Sequence, residues 1–116
     1  MNNRKSGLVG EAQAAQWLSE RGYEILERNF TCRGGELDLV ARDPDGMLVF
    51  VEVKARENTR FGDPIEAITP AKVRSILTAA RVYCMQHRCF SAPIRFDVIV
   101  ILRGKIRHIP NAFESN

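Results

Sequence analysis

The chain has 116 residues, a formal net charge of +3 and a hydrophobic content of 45%. That length suits one domain with its own core and is short for two, so we expect a single domain over residues 1–116. No apolar run approaches the roughly 20 residues that a membrane-spanning helix needs, and no apolar signal core follows the basic residues at the start. We therefore expect a cytoplasmic protein that does not enter a membrane.

The cysteines and the basic residues further limit the class of protein to which the chain can belong. Cys32, Cys84 and Cys89 are odd in number and lack the Cys-x-x-Cys spacing, which argues against a disulfide framework and against a zinc site. Cys84 is expected in the core. The 17 basic residues comprise 13 arginines and 4 lysines, and the planar arginine side chain suits bidentate contact with phosphate. Arginine content also follows genomic base composition, so it supports a nucleic-acid partner only weakly.

The first predicted element is a helix over residues 7–21. Apolar residues recur there at helical spacing, Ser6 suits the N-cap, and Gly22 suits the position that ends the helix. Glu11 lies on the apolar face of this helix. Two interpretations of Glu11 stand: a first-turn glutamate favoured by the helix dipole, or an acid that reaches a metal site from the helix. Residues 23–30 follow as a first strand.

Two further strands form a predicted hairpin. Alternating runs at residues 35–40 and 49–54 flank the turn-rich segment 43–46. With Asp45 at the tip, the numbers of opposed residues sum to 90, because a slip by one residue would turn the apolar set outward. Three apolar residues are expected to share one face of the first of these strands: Leu37, Leu39 and Ala41.

That register opposes acidic side chains. Asp38 then faces Glu52, and Glu36 faces Lys54, with roughly 4.5–5.5 Å between Cβ atoms. Residues 48–54 are apolar apart from Glu52 and Lys54, which predicts a buried central strand. Buried charges need a partner or a metal ion, so we expect a divalent cation beside Lys54, in a site that cuts phosphodiester bonds. The alternative is a solvated sheet face with weak surface ion pairs.

A polar loop at residues 55–63 leads to a second helix, predicted over residues 70–87. Thr69 suits its N-cap and Pro70 its first position. Its buried stripe is predicted to contain Val73, Ile76, Leu77, Ala80 and Cys84. On another face, arginines recur every seven residues, either as a solvated surface or as a track for a phosphate backbone: Arg74, Arg81 and Arg88.

The last predicted elements are a fourth strand over residues 94–102 and a short edge strand over residues 106–109, before Pro110. Asp97 lies within the apolar fourth strand, and we interpret it as structural and paired with an arginine. The order α-β-β-β-α-β predicts a mixed sheet covered by helices, an α/β or α+β sandwich.

This element order and six short segments resemble a known superfamily. The segments are Gly10-Glu11-Ala12-Gln13-Ala14, Asn29-Phe30, Gly35-Glu36-Leu37-Asp38-Leu39, Phe50-Val51-Glu52-Val53-Lys54, Phe61-Gly62 and Arg95-Phe96-Asp97-Val98. Together they resemble the PD-(D/E)xK nuclease superfamily and, more narrowly, the YraN-like family of uncharacterised bacterial proteins, which are similar to archaeal Holliday-junction resolvases. The resemblance implies a restriction-endonuclease-like three-layer α/β fold. One position departs from the superfamily name, because Leu37 stands where that name has proline.

The resemblance also implies roles for individual residues. Asp38 and Glu52 match the metal-binding acids, Lys54 matches the catalytic lysine, and Glu11 matches the acid that some members contribute from the first helix. Mg²⁺ or Mn²⁺ would bind to Asp38 and Glu52, with the Val53 carbonyl and water completing the shell.

Further residues are expected around that centre. Glu36, like Glu11, is a secondary candidate for a metal ligand, a base or an orienting group. The segment Phe61-Gly62 is expected to form a flexible rim. Four arginines are expected to contact the nucleic-acid backbone: Arg56, Arg60, Arg74 and Arg81.

The expected function is therefore a metal-dependent, structure-selective endonuclease that acts on branched DNA. A junction with two-fold symmetry would suit a homodimer that presents two sites. Two alternatives stay open. The first is a module of nuclease fold that binds nucleic acid without turnover, and the second is an adaptor protein whose charged residues form surface ion pairs.

Overall fold

In the residues that the computed structural model describes, 3–89 and 91–114, a five-stranded mixed sheet lies between two α-helices. The elements are α1 (Asn3–Glu20), β1 (Glu24–Cys32), β2 (Gly35–Arg42), β3 (Leu48–Arg56), the 3₁₀ helix η1 (Pro64–Ala67), α2 (Pro70–His87), β4 (Ile94–Leu102) and β5 (Lys105–Phe113). No helix in these ranges is long and apolar enough to cross a membrane.

The strands lie side by side in chain order, from β1 to β5. All neighbours are antiparallel except β3 and β4, which are parallel, and α2 provides the crossover that a parallel pair requires. One core cluster packs α1 against β3 and β4, and a second packs α2 against the opposite face of the sheet. This arrangement confirms the predicted three-layer α/β fold with the order α-β-β-β-α-β, to which β5 adds an edge.

The hairpin of β2 and β3 has the predicted register. Its ladder runs from the Arg42–Leu48 pair to the Leu39–Val51 pair, and the numbers of each pair sum to 90. The prediction that β3 is a buried central strand is also confirmed, because residues 48–53 are all buried. The ladder ends at Leu39 and Val51, so the expected cross-strand pairs involving Asp38 and Glu36 lie beyond it.

The N-terminal boundary of α1 was predicted wrongly. The helix begins at Asn3, so Ser6 lies inside it and is not its N-cap. The segment from Asn3 to Ser6 contains neither proline nor glycine, so nothing in it interrupts the helix. The predicted end is confirmed, because Gly22 has a φ of 90° and its N–H donates to the Ser19 carbonyl at 3.1 Å.

The lengths of the outer strands also differ from the prediction. β1 runs to Cys32 rather than to residue 30, and Arg33 and Gly34 alone form the turn to β2. β5 spans Lys105–Phe113 rather than residues 106–109, and it continues through Pro110. An edge strand tolerates proline because the missing N–H faces away from the sheet.

The predicted alternation in β2 is interrupted beside Asp38. Leu37 packs in the α2 cluster, whereas Leu39 packs in the α1 cluster, so the two do not share a face as expected. On β1, the residue between the partners of Leu37 and Leu39 is Asn29, which has a φ of 54°. A left-handed residue breaks the extended backbone, and the interruption lies opposite Asp38.

The buried face of α2 is turned slightly from the predicted stripe. The fully buried residues are Ile76, Ala79, Ala80, Tyr83 and Cys84, while Val73 and Leu77 are half-buried. The difference follows from Gly35, where a Cβ atom would lie 2.8 Å from the Ala79 nitrogen. Because glycine lacks that atom, β2 approaches this part of α2 and buries Ala79. The Thr69 cap and the core position of Cys84 are confirmed.

Asp97 is structural, as predicted. Its carboxylate is 1% exposed and forms a two-point contact with Arg95, at 2.8 Å from both Nε and Nη2. His108 Nε2 lies 2.7 Å from Oδ2, and the Asn111 N–H donates to Oδ1 at 3.0 Å. Burial acts to raise the pKa of Asp97, but these donors outweigh it and hold that pKa below its ordinary value. These hydrogen bonds of Asp97 link β4 to β5.

Replacing Asp97 with asparagine is expected to destabilise the fold by about 1–3 kcal/mol, because the buried side chain would lose its two charge-assisted hydrogen bonds to Arg95. Arg95 would keep its ion pair with Asp43, at 3.1 Å. The free energy of unfolding from urea titration at pH 7 measures this. Asp45→Asn, at an exposed turn position, is the control and is expected to change stability by less than about 0.5 kcal/mol. Equal stabilities for the two variants would contradict the assignment.

Candidate active site

Asp38 occupies the point where β2 and β3 separate. One of its carboxylate oxygens, Oδ2, accepts the N–H of Val53 at 2.8 Å. This bond lies just past the last ladder pair, Leu39 with Val51, so a side chain takes over where backbone pairing ends. The Asp38 carboxylate is thereby fixed next to Glu52, the neighbour of Val53 on β3.

Glu52 is a buried carboxylate with an asymmetric environment. The residue is 3% exposed, and its Oε1 atom lies 3.3 Å from Lys54 Nζ and 3.4 Å from Lys72 Nζ. Its other oxygen, Oε2, is buried and has no hydrogen-bond partner among the described residues. One oxygen therefore faces two ammonium groups, while the second remains available for a ligand.

Glu11 reaches the same region from α1. It is 7% exposed, and its buried Oε1 atom also has no hydrogen-bond partner within the described part of the chain. Because α1 begins at Asn3, Glu11 lies in its third turn, which rules out the first-turn interpretation. The adjacent Gly10 permits the approach, since a Cβ atom there would lie 3.0 Å from the Ala55 Cβ on β3.

The three carboxylates influence one another. The pKa of Glu11 is raised to about 7, mainly by burial and next by the charge of Asp38, while the Asn29 amide opposes the shift. Burial also raises the pKa of Glu52 to about 7, again with Asp38 as the second cause, while the neighbouring lysines oppose it. The charge of Asp38 therefore acts on both of the other acids, Glu11 on α1 and Glu52 on β3.

Lys72 is a site residue that the sequence reasoning missed. Its Nζ atom lies 3.0 Å from Glu36 Oε1, in addition to its contact with Glu52. Burial favours the neutral amine, but the charges of Glu52 and Glu36 outweigh it and hold the pKa of Lys72 above its ordinary value. A cation in the first turn of a helix is disfavoured by the helix dipole. The position of Lys72 in the first turn of α2, just after Thr69 and Pro70, was the signal in the sequence that could have indicated a functional role.

The predicted site residues divide into two groups. Asp38, Glu52, Lys54 and Glu11 lie together, and Glu36 is joined to them through Lys72, not by pairing with Lys54. The Val53 N–H is taken by Asp38, and a role for the Val53 carbonyl remains a prediction.

The predicted arginines lie at differing distances from that centre. Arg56 and Arg60 are exposed and follow Lys54 closely along the chain. Arg74 and Arg81 are exposed on α2, and Arg81 is about 13 Å along the helix axis from Lys72. Arg81 instead borders a cavity of about 300 Å³ near the C-terminal end of α2, lined by Leu77, Cys84 and Phe96 among others. Contacts between these arginines and nucleic acid remain predictions.

The acidic side chains suit a hard cation. Carboxylate oxygens are the donors that Mg²⁺ and Mn²⁺ prefer, and buried oxygens without partners remain on Glu11 and Glu52. Within residues 9–89 and 91–114, no group of three or more His, Cys, Asp or Glu side chains is arranged to hold a metal ion by itself. A cation at this site would therefore need water or phosphate oxygens as further ligands.

Comparison with known proteins places the chain in a family. The family described as "Uncharacterised protein family UPF0102" matches residues 10–101. The chain belongs to this family. It is 52% identical over 116 residues to the UPF0102 protein of Lachnoclostridium phytofermentans, covering 99% of this chain and 98% of that relative. It is 49% identical to the UPF0102 protein of Pelobacter propionicus, covering 97% of this chain and 85% of that relative.

Among solved structures, the chain is similar to one named "Structure of EndoMS-dsDNA2 complex". The match has a TM-score of 0.41 and 21% sequence identity, and it covers 80% of this chain and 34% of that chain. The UPF0102 chain thus spans about a third of that protein's length. A likeness of this degree supports no conclusion about activity.

The buried glutamates make stability depend on pH. The pKa of Glu11 is raised from 4.5 to about 7, so the folded state binds more protons than the unfolded state between these values. Stability should therefore fall as the pH rises from about 4.5 through 7 and remain lower above that range. We expect Glu11→Gln to raise the melting temperature at pH 8 by several degrees, about 3–6 °C, and to flatten the dependence.

Thermal melts of wild type and Glu11→Gln at pH 5, 6, 7 and 8 measure this dependence. Glu20→Gln, at an exposed position of the same helix, is the matched control and should follow the wild-type curve. A Glu11→Gln melting temperature that drops in parallel with wild type would show that Glu11 does not titrate in this range.

Proposed function

We propose that this protein is a metal-dependent, structure-selective endonuclease that hydrolyses phosphodiester bonds of branched DNA. The observation that supports this most strongly is the Glu52 carboxylate, buried beside Asp38 and Lys54 with one oxygen lacking a partner among the described residues. Keeping Glu11 and Glu52 buried beside Asp38 is unfavourable once these acids are ionised. A bound divalent cation would remove that penalty, so the arrangement favours a cation site.

In this proposal Asp38 and Glu52 hold Mg²⁺ or Mn²⁺, which supplies Lewis-acid activation of the scissile phosphate and of a water molecule. The Asp38 carboxylate is already oriented by the Val53 N–H, so little reorganisation is needed on binding. Lys54 stabilises the negative charge that develops on the phosphoryl oxygens. Glu11 orients the attacking water or accepts its proton through the oxygen left without a partner in the described residues.

Substrate binding in this proposal depends mainly on phosphate contacts. Arg56 is the last residue of β3 and Arg60 lies in the loop after it; both are exposed, so they would hold the nucleic-acid backbone. Such contacts carry no base information, and the affinity should decrease as the salt concentration rises. A homodimer would present two such sites to a junction with two-fold symmetry.

One observation favours a second candidate, a nucleic-acid-binding module without turnover. Lys54 and Lys72 both contact Glu52 Oε1, so residues of the chain itself already supply positive charge to one oxygen of this carboxylate. If those lysines stay in place when nucleic acid binds, they keep Oε1 occupied and disfavour a metal ion beside it. Metal binding therefore separates the two candidates.

We expect Asp38→Asn and Lys54→Met each to reduce the cleavage rate by about 100-fold or more, because each removes a group that acts on the scissile phosphate. The assay compares labelled four-way junctions, flaps, single strands and duplexes in the presence of Mg²⁺ or Mn²⁺. Asp45→Asn is the control, since it removes an exposed acid in the turn between β2 and β3.

Calorimetry with Mn²⁺ provides a readout independent of cleavage. Wild type should bind the ion and Asp38→Asn should not, while both keep cooperative thermal transitions. Metal-dependent cutting by Asp38→Asn at the wild-type rate would refute the assignment. Binding of DNA with neither metal binding nor cutting would favour the binding module.

A further inference from the structure

Phe61 is the most exposed large apolar residue among those described. It is 94% exposed, whereas the other exposed large apolar residues range from 36% to 62%. Single exposed apolar residues are common and need no special explanation. Phe61 differs because the backbone around it is closed by hydrogen bonds and because basic residues surround the loop that carries it.

Hydrogen bonds within the loop fix the position of Phe61. Before it, the Arg60 N–H donates to Asn58 Oδ1 at 2.9 Å. After it, the Gly62 N–H donates to the Thr59 carbonyl at 2.9 Å, and Gly62 has a φ of 98° that permits this tight turn. The backbone on both sides of Phe61 is therefore constrained while its ring points into solvent.

Two arginines of the β4–β5 hairpin contact the two ends of this loop. Arg103 Nε donates to the Glu57 carbonyl at 2.9 Å, and Arg107 Nη2 lies 2.8 Å from Asp63 Oδ1. The charges of Asp63 and Arg107 thus balance each other, and Glu57 and Glu66 are the other acids of this region. Four exposed basic side chains outnumber these two glutamates: Arg56, Arg60, Arg103 and Lys105.

The loop is connected along the chain to elements of the candidate active site at both ends, directly to β3 and through η1 to α2. It begins shortly after Lys54 on β3 and leads into α2 shortly before Lys72, and both lysines contact Glu52. Phe61 is seven residues from Lys54, a separation of about 25 Å at most for an extended chain. With about 3.4 Å per nucleotide along a strand, this corresponds to seven nucleotides or fewer.

We propose that Phe61 stacks on an unpaired nucleobase within about seven nucleotides of the cleavage site, so that the substrates are nucleic acids with unpaired nucleotides at a branch, flap or end. The inference rests on the proposed function. A constrained, solvent-exposed aromatic ring within a basic surface offers a base a stacking face and its phosphates a counter-charge. Fully paired duplex offers no free base face, so Phe61 discriminates between these structures.

The test uses 2-aminopurine, a fluorescent base whose emission falls when it is stacked, placed in the unpaired part of a flap. In metal-free buffer, wild type should quench this emission and bind the flap more tightly than a duplex of equal length. Phe61→Ala should lose the quenching and weaken flap binding about 10-fold, while duplex binding changes less than about 2-fold. Phe61→Trp should retain both properties.

Met85→Ala is the matched control, because it removes another exposed apolar side chain, on α2. It should leave quenching and flap affinity at the wild-type values. A Phe61→Ala variant that quenches and binds like wild type would overturn the stacking role and leave the nuclease proposal standing. Equal weakening of flap and duplex binding would also overturn it. If wild type binds neither DNA, the inference and the proposed function both fail.

Discussion

The hydrogen bond from the Val53 N–H to Asp38 Oδ2 is the interaction on which the site depends. It substitutes a carboxylate for a backbone carbonyl at the end of the β2–β3 ladder, and so marks where the two central strands part. Glu52 and Lys54 lie on either side of Val53, and Glu11 approaches from α1. The opening between the strands is thus also the place where both helical layers can supply side chains to one centre.

The electrostatics of this centre are unfavourable in the absence of a ligand, which is characteristic of functional sites. Burial, together with the charge of Asp38, raises the pKa values of Glu11 and Glu52 to about 7. Lys54 and Lys72 relieve this only at one oxygen of Glu52. By contrast Asp97, equally buried, is matched by Arg95, and its pKa is lowered. Glu52 and Asp97 are therefore both buried acids of the same sheet, but they differ in role. Both carboxylate oxygens of Asp97 accept hydrogen bonds, whereas one oxygen of Glu52 has no partner among the described residues.

Sequence patterns were sufficient to predict the features that depend on residues close together in the chain. The register of β2 and β3, the cap at Thr69 and the buried strand β3 follow from alternation and turn chemistry. Lys72 could not be placed in this way, because its contact with Glu52 depends on how closely α2 packs on Gly35. The change of face at Leu37 likewise depends on the conformation of Asn29, which belongs to the neighbouring strand.

The edge strand β5 limits how copies of this protein could associate. Pro110 supplies no N–H, and the φ of 52° at Asn111 breaks the extended backbone next to it. A further strand therefore cannot continue the hydrogen-bond ladder across this part of the sheet. Continuous intermolecular sheets built through β5 are disfavoured, and so is the fibrous aggregation that such pairing promotes. A two-fold assembly would then use another surface: the opposite sheet edge at β1, a helix or a loop.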